Sequence, residues 1–331
     1  MLASSPASCK NRRTPAHAQR RSRRFAAVPT GRADMTQANE KIGFIGVGLM
    51  GQGMAKNIVE KGYPLTVIAH RNRAPVDDLV GRGAAEATSM EELAKSSSMI
   101  FLCLTGSPQV EAAIAALKPG LTKGSVIIDC STSDPTVTER IAAELAAIGV
   151  DFADAPLSRT PKEAWDGTLD CMVGAGAATF ARIEPVIATW AAKIVHIGSI
   201  GDGHRMKLLN NFISLGYAAL YSEALAMSRK VGIPVAEFDK VIRGGRMDCG
   251  FYQTFMGYAL EGNREAHKFT LANAYKDIRY VESMANAATV TTTMSSAIKN
   301  TFAGAMANGG DGAEDYVPHL SDFVAKANGI T

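Results

Sequence analysis

The chain has 331 residues, 47% of them hydrophobic and 20% charged, with 31 Gly and 13 Pro. That is enough for one large folded domain or two. The longest uncharged apolar run, Met99–Leu104, is far too short to span a bilayer, and the composition describes neither a collagen, a coiled coil nor a wholly disordered chain. The net charge of +3 divides unevenly, because residues 1–34 carry +7 and the rest −4. A mildly acidic body is not built to grip nucleic acid. Cys9, Cys103, Cys130, Cys171 and Cys249 are scattered without a Cys-x-x-Cys pair. This argues against a disulfide framework or a cysteine metal site and for a reducing, cytoplasmic setting.

Residues 1–34 are rich in Arg, Ser, Ala and Pro, lack hydrophobic periodicity, and read as a disordered basic tail. Two origins compete: an upstream extension with Met35 as the true start, or an Arg- and Ser-rich organellar transit segment. A twin-arginine export signal at Ser22-Arg23-Arg24-Phe25 is disfavoured, since no apolar stretch follows. From Lys41 onward, short apolar runs predict strands at 41–45, 64–69, 98–103, 125–129 and 150–155, with shorter ones near 169–173 and 192–196. Helical patterns fall between them at 50–61, 74–81, 107–117 and 135–148. Such alternation implies a parallel, doubly wound sheet with helices on both faces. After Gly198 the pattern changes. Asp202 to Val231 reads as one long helix, with Met206, Leu209, Ile213, Tyr217, Leu220 and Leu225 near helical spacing. Further helical patterns are broken at 232–234, 244–245, 261–263 and 307–312. The expected architecture is therefore a Rossmann-type α/β domain over 35–198, joined through that helix to an all-α domain over 199–331.

The segment Gly46-Val47-Gly48-Leu49-Met50-Gly51 follows an apolar strand and opens a helix closed at Gly62. In a G-x-G-x-x-G turn the first glycine permits the tight turn, the second lets backbone approach a pyrophosphate, and the third lets helix and strand pack closely. The helix N-terminus favours the anion. A site preferring NAD places an acid at the end of the second strand. This chain has Ala69-His70-Arg71-Asn72-Arg73 there, with no acid before Asp77. Arg71 and Arg73 suit the 2′-phosphate of NADP, with NAD as the alternative cofactor and a solvated basic loop as the competing reading.

The opening from Gly43 to Gly51, running on to Met54-Ala55-Lys56-Asn57, resembles that of the β-hydroxyacid dehydrogenases. Three further blocks resemble that family in order, so the likeness spans roughly residues 41–325. They are Asp154-Ala155-Pro156-Leu157-Ser158, Gly201 through Asn211, and Phe269 through Lys276-Asp277. The resemblance implies hydride transfer between NADP(H) and a small, carboxylate-bearing 3-hydroxy acid or its semialdehyde, of the 3-hydroxyisobutyrate type. It makes Lys207 the catalytic lysine and places Ser158 and Asn211 at the substrate. It adds cofactor contacts at Leu104, Thr105, Gln109, Thr132, Phe269 and Lys276, and it implies a homodimer or homotetramer. The residues allow this, since Lys207 and Asn211 stand one turn apart on one helical face. A desolvated lysine can also be tuned to exchange a proton near neutral pH. His196 and His204 lack partners at metal-ligand spacing and read as structural, with no metal site expected.

The likeness fails at one place. Most members carry two glycines after the serine, where this chain has Arg159 and Thr160. Their Cβ atoms limit the close approach of backbone amides to a carboxylate. Arg159 offers a guanidinium instead, unless it points to solvent. Rival readings are an NADP-binding module without catalysis and an imine reductase on the same scaffold; both are disfavoured by Lys207. A 6-phosphogluconate dehydrogenase shares the design but needs a longer all-α part.

Overall fold

The computed structural model describes residues 40–308 and 315–330. The tail reading for 1–34 lies outside the described residues, as do positions 309–312 of the last expected break. Among the described residues nine strands form one sheet: β1 Ile42–Ile45, β2 Leu65–Val67, β3 Ala85–Glu86, β4 Met99–Leu102, β5 Val126–Asp129, β6 Asp151–Asp154, β7 Leu157–Ser158, β8 Leu169–Gly174 and β9 Ala191–Gly198. The helices that accompany them are α1 Gly51–Glu60, α2 Ala74–Gly81, α3 Met90–Ser96, α4 Ser107–Leu117, α5 Pro135–Ala146, α6 Pro161–Asp166 and α7 Ala177–Ile187.

The strand order begins β3-β2-β1-β4-β5-β6, all parallel. This is the dinucleotide-binding order, with its reversal between β1 and β4, where ligands bind at the carboxyl ends of strands. Strands β1, β4 and β5 are buried throughout because helices cover both faces. One face carries Phe44, Phe101 and Trp190, and the other Ile45, Ile100, Leu102 and Ile127. The wholly parallel reading is corrected beyond β6. There β8 runs antiparallel to both β6 and β7, and β9 returns parallel to β8. The link from β7 to β8 holds only the short α6, whereas a parallel crossover needs a dozen or more residues. The periodicity also passed over β3, α3, β7, α6 and α7. The strands β3 and β7 are two residues long, and α7 contains Pro185.

The remaining elements are helical: α8 Asp202–Lys230, α9 Val235–Ile242, α10 Gly250–Glu261, α11 Leu271–Ala287, α12 Thr293–Ala307 and α13 Leu320–Ala327. At 29 residues α8 is roughly 43 Å long. Its buried side, with Leu208, Leu215, Ala218 and Leu225, joins Phe255, Ile278 and Phe302 in the helical core. Of the six apolar residues whose spacing marks this helix, only Leu225 is buried, and Met206, Leu209, Ile213, Tyr217 and Leu220 are exposed. The helix is apolar on both sides, so spacing identified it without saying which face turns inward. Among the described residues no helix is long and apolar enough to cross a membrane.

Candidate active site

The turn after β1 has the shape a pyrophosphate needs. Gly46 has φ +96°, and a Cβ there would run into the Cys103 carbonyl. At Gly48 a Cβ would meet nothing within 4 Å, so the backbone there faces open space. Among the described residues no side chain caps the first turn of α1; the Gln52 N–H donates to the Gly48 carbonyl at 3.0 Å, and the positive end of the helix faces the turn, where an anion is favoured. Val47 is buried behind the turn, Leu49 is exposed and Met50 half-buried in front of it. Leu104 and Thr105 follow the end of β4 beside the turn, and the Leu104 N–H donates to Ser131 Oγ at 2.9 Å, which fixes the loop after β5 that carries Thr132. These residues fit a dinucleotide lying across the carboxyl ends of β1, β4 and β5.

Helix α11 closes this region from the other side. Its Lys276 ammonium donates to the Thr132 carbonyl at 3.1 Å and to the Thr105 carbonyl, and the Tyr280 hydroxyl accepts the Ser107 N–H at 3.2 Å. Between α4 and α11 lies a cavity of about 280 Å³ lined by Thr105, Pro108, Gln109, Lys276, Arg279 and Tyr280. Sequence reasoning had placed Thr105, Gln109 and Lys276 at the cofactor. Tyr280 shares a helical face with Phe269, Asn273 and Lys276, a spacing that allows either this cleft or the core, and here it lines the cleft; Arg279 carries no motif that would single it out.

Lys207 lies in the second turn of α8, half-buried, with no hydrogen bond or ion pair to its ammonium among the described residues. Burial lowers it to about 8; the Asp277 carboxylate opposes that shift and the Lys276 charge adds to it. One turn on, Asn211 is buried and donates to Asp277 Oδ2 at 2.7 Å. Asp277 is itself fully buried, and Lys276 lies 3.0 Å from its other oxygen. A further group appears here without a sequence signal. His267 packs edge-on between Phe251 and Phe269, and burial, with the Lys207 charge adding to it, drives it down to about 4, which makes it a neutral ring near neutral pH. Phe269 and Lys276 are legible in the sequence block, whereas Asp277, next to Lys276, shows its place only through the fold, buried against Asn211.

Three further expected binding residues are also engaged by protein groups. The Arg73 guanidinium forms paired bonds of 2.9 and 2.6 Å to Glu86 and lies 3.1 Å from Asp77, which leaves Arg71 as the arginine of that loop without an ion pair among the described residues. Arg159 Nε lies 3.1 Å from Asp170 on β8, with its side chain about half exposed. It also adopts φ +92°, a left-handed conformation that a glycine would accept without strain. Thr160 caps α6: its hydroxyl accepts the Lys162 N–H at 3.3 Å, and Glu163 takes the Thr160 N–H at 3.1 Å. The amide that a glycine would offer to a substrate is thus occupied. Ser158, just before them on β7, has no hydrogen bond to its hydroxyl among the described residues. His196 stacks on Phe180 at 4.3 Å and bonds the Ala175 carbonyl, a structural place.

Residues 41–198 match the family described as the NAD binding domain of 6-phosphogluconate dehydrogenase, and residues 201–319 that described as the NAD-binding of NADP-dependent 3-hydroxyisobutyrate dehydrogenase. Among relatives, the chain is 29% identical to 3-sulfolactaldehyde reductase of Escherichia coli, over 83% of this chain and 93% of that one. It is 30% identical to 3-hydroxyisobutyrate dehydrogenase of Pseudomonas aeruginosa, over 79% and 90%. The solved Mycobacterium tuberculosis 3-hydroxyisobutyrate dehydrogenase with L-serine superposes with a TM-score of 0.77 at 24% identity, covering 86% of this chain and 98% of that chain. Solved imine reductases share the fold at TM-scores near 0.55 and 19% identity or less. With the phosphate turn and the lysine-bearing helix inside matches that run through most of its length, the chain belongs to the β-hydroxyacid dehydrogenase family of NAD(P)-dependent oxidoreductases.

Proposed function

We propose that this enzyme interconverts a small 3-hydroxy acid and its semialdehyde, with NADP(H) as hydride carrier and Lys207 as general acid and base. The observation that carries the reading is the Lys207 ammonium, desolvated, without a hydrogen-bond or ion-pair partner among the described residues, and lowered to about 8 beside Asp277 and Asn211. In reduction the ammonium gives its proton to the oxygen of the forming alkoxide, and in oxidation the neutral amine takes the hydroxyl proton. Asn211, held by Asp277, presents its carboxamide to the substrate. Ser158 offers a hydroxyl donor to the carboxylate, which Arg159 reaches only by leaving Asp170.

When bound, the nicotinamide supplies or accepts the hydride. Gly46, Val47, Gly48, Leu49, Met50 and Gly51 cradle its pyrophosphate, while Leu104, Thr105, Gln109, Thr132, Phe269 and Lys276 line its path. Arg71 contacts the 2′-phosphate and sets the preference for NADP over NAD. The exposed apolar side of α8, continuous with a groove of about 320 Å³ lined by Phe212, Tyr217, Leu220 and Met294, supports self-association as a dimer or tetramer. Unpaired Cys103, Cys130, Cys171 and Cys249 suit a reducing cytoplasm, with an organelle as the alternative if residues 1–34 act in transit.

The test is Lys207→Met, assayed by NADPH oxidation against a panel of C2–C5 semialdehydes and keto acids. Turnover falls ~10²–10⁴-fold while the NADPH dissociation constant holds. Near-normal turnover would refute the reading and favour a binding module.

A further inference from the structure

Gly201 is the N-cap of helix α8, and with no side chain it supplies no acceptor to the N–H groups of the first turn. The acceptor comes from another strand. Asp154, the last residue of β6, takes the Gly201 N–H at 2.6 Å on one oxygen and the His204 N–H at 2.7 Å on the other. The carboxylate is fully buried, and the chain makes room for it. A Cβ on Gly174 would stand 2.6 Å from one oxygen and a Cβ on Gly203 2.8 Å from the other. An anion at a helix N-terminus is also favoured by the helix dipole.

The His204 ring extends the contact. It is fully buried, with Nδ1 2.8 Å from the Thr138 hydroxyl of α5 and Nε2 3.2 Å from the Ser131 carbonyl. Its nitrogens lie 3.9 Å from the Asp154 carboxylate and 3.7 Å from that of Asp129. Asp129 in turn accepts the Ser131 N–H at 2.9 Å and the Ser133 hydroxyl at 2.8 Å. Ser131 Oγ accepts the Leu104 N–H. A connected set of bonds therefore runs from the ends of β4 and β5, where the cofactor is proposed to lie, to the first turn of α8. His204, Lys207 and Asn211, spaced three and then four residues apart, share one face of that helix.

We propose that Asp154 is a positioning residue for Lys207, fixing the first turn of α8 against β6 and, with His204, locking the place of the ammonium to the strand ends that hold the cofactor. A neutral cap would satisfy the same N–H groups without burying a charge, so stability alone does not call for an aspartate here. Burial raises the Asp154 carboxyl above its ordinary value, while neighbouring His204 and the two backbone N–H groups oppose that shift. Placement matters because a displacement of about 1 Å in a reacting group can cost ~10²-fold in rate.

The inference rests on the reading of Lys207 as the proton donor, which Lys207→Met tests by itself. The full-length protein would be compared as parent, Asp154→Asn and Thr138→Val. Thermal midpoint, NADPH dissociation constant, and kcat and KM for the fastest aldehyde of the panel would be measured, with kcat in reduction followed against pH. Asp154→Asn turns one acceptor into a donor that faces an N–H, so kcat falls at least ~10-fold and the NADPH constant stays within ~2-fold. The alkaline limb of reduction moves above 8 as water reaches Lys207. Thr138→Val, which removes only the hydroxyl beside His204 Nδ1, moves both quantities the same way by a smaller amount. A purely structural role would lower the midpoint and leave kcat and the limb unchanged, and that result overturns the proposal. If Asp154→Asn does not fold, Thr138→Val decides, and an unmoved limb overturns it there as well.

Discussion

The charge state of Lys207 gives the sharpest test of the proposed chemistry. A lysine ordinarily titrates at 10.5, and here burial lowers it to about 8. Reduction needs the ammonium, so the activity it supports is full below that value and lost above it; oxidation needs the amine and rises through the same value. A group at 8 is about 90% protonated at pH 7 and about 9% at pH 9, so reductive kcat falls about 10-fold over that interval, whereas a lysine at 10.5 would still be about 97% protonated at pH 9. Asp277→Asn supplies the second arm. The Asp277 carboxylate holds the lysine up, and its removal lowers the limb by ~1 unit. It also weakens the grip on Asn211, so KM rises with it. The assay is pre-steady-state or steady-state NADPH oxidation from pH 6 to about 10, with cofactor binding checked at each end. A limb near 10 in the parent, or one that Asp277→Asn leaves in place, would refute the account of a desolvated lysine tuned by a buried carboxylate.

Cofactor choice follows from the two arginines: Arg71→Ala weakens NADPH binding ~10-fold and leaves NADH alone, while Arg73→Ala, whose partners are Glu86 and Asp77, has the smaller effect. Equal losses in fluorescence titrations would show that Arg73 exchanges its acids for the phosphate. At the substrate end, Arg159→Gly relieves a φ of +92° that Arg159→Ala retains, so the glycine variant melts ~2 °C above the alanine variant. If the guanidinium also reaches the substrate, both variants raise KM more than they lower kcat, the alanine variant more so; unchanged kinetics in both would leave Arg159 to Asp170. Self-association is checked by sedimentation of Ile213→Asp and Leu220→Asp, which lower the mass of the assembly and leave a monomeric parent unaffected.

Much of the fold is local and could be read directly. Alternating apolar runs and helical spacing located β1, β4, β5, β6 and α1 within a residue or two, since each depends on its own periodicity and on the glycines and prolines that bound it. Gly46 and Gly51 declared the phosphate turn for the same reason: their backbone conformation and packing admit no side chain. The blocks around Ser158, Lys207 and Lys276 carried the family likeness. What the sequence could not decide is whatever depends on partners distant along the chain. Arg73 and Arg159 looked like ligand-binding cations until the tertiary structure placed Glu86 and Asp170 beside them. The apolar stripe of α8 marked a helix correctly but not its inward face, which is fixed by what α11 and α13 bury against it. Nor does any local pattern announce that the Lys207 charge acts on His267, or that Asp154 on β6 accepts the N–H of the α8 N-cap residue 47 positions later. A charge takes its role from the charge opposite it, and only the folded chain brings the two together.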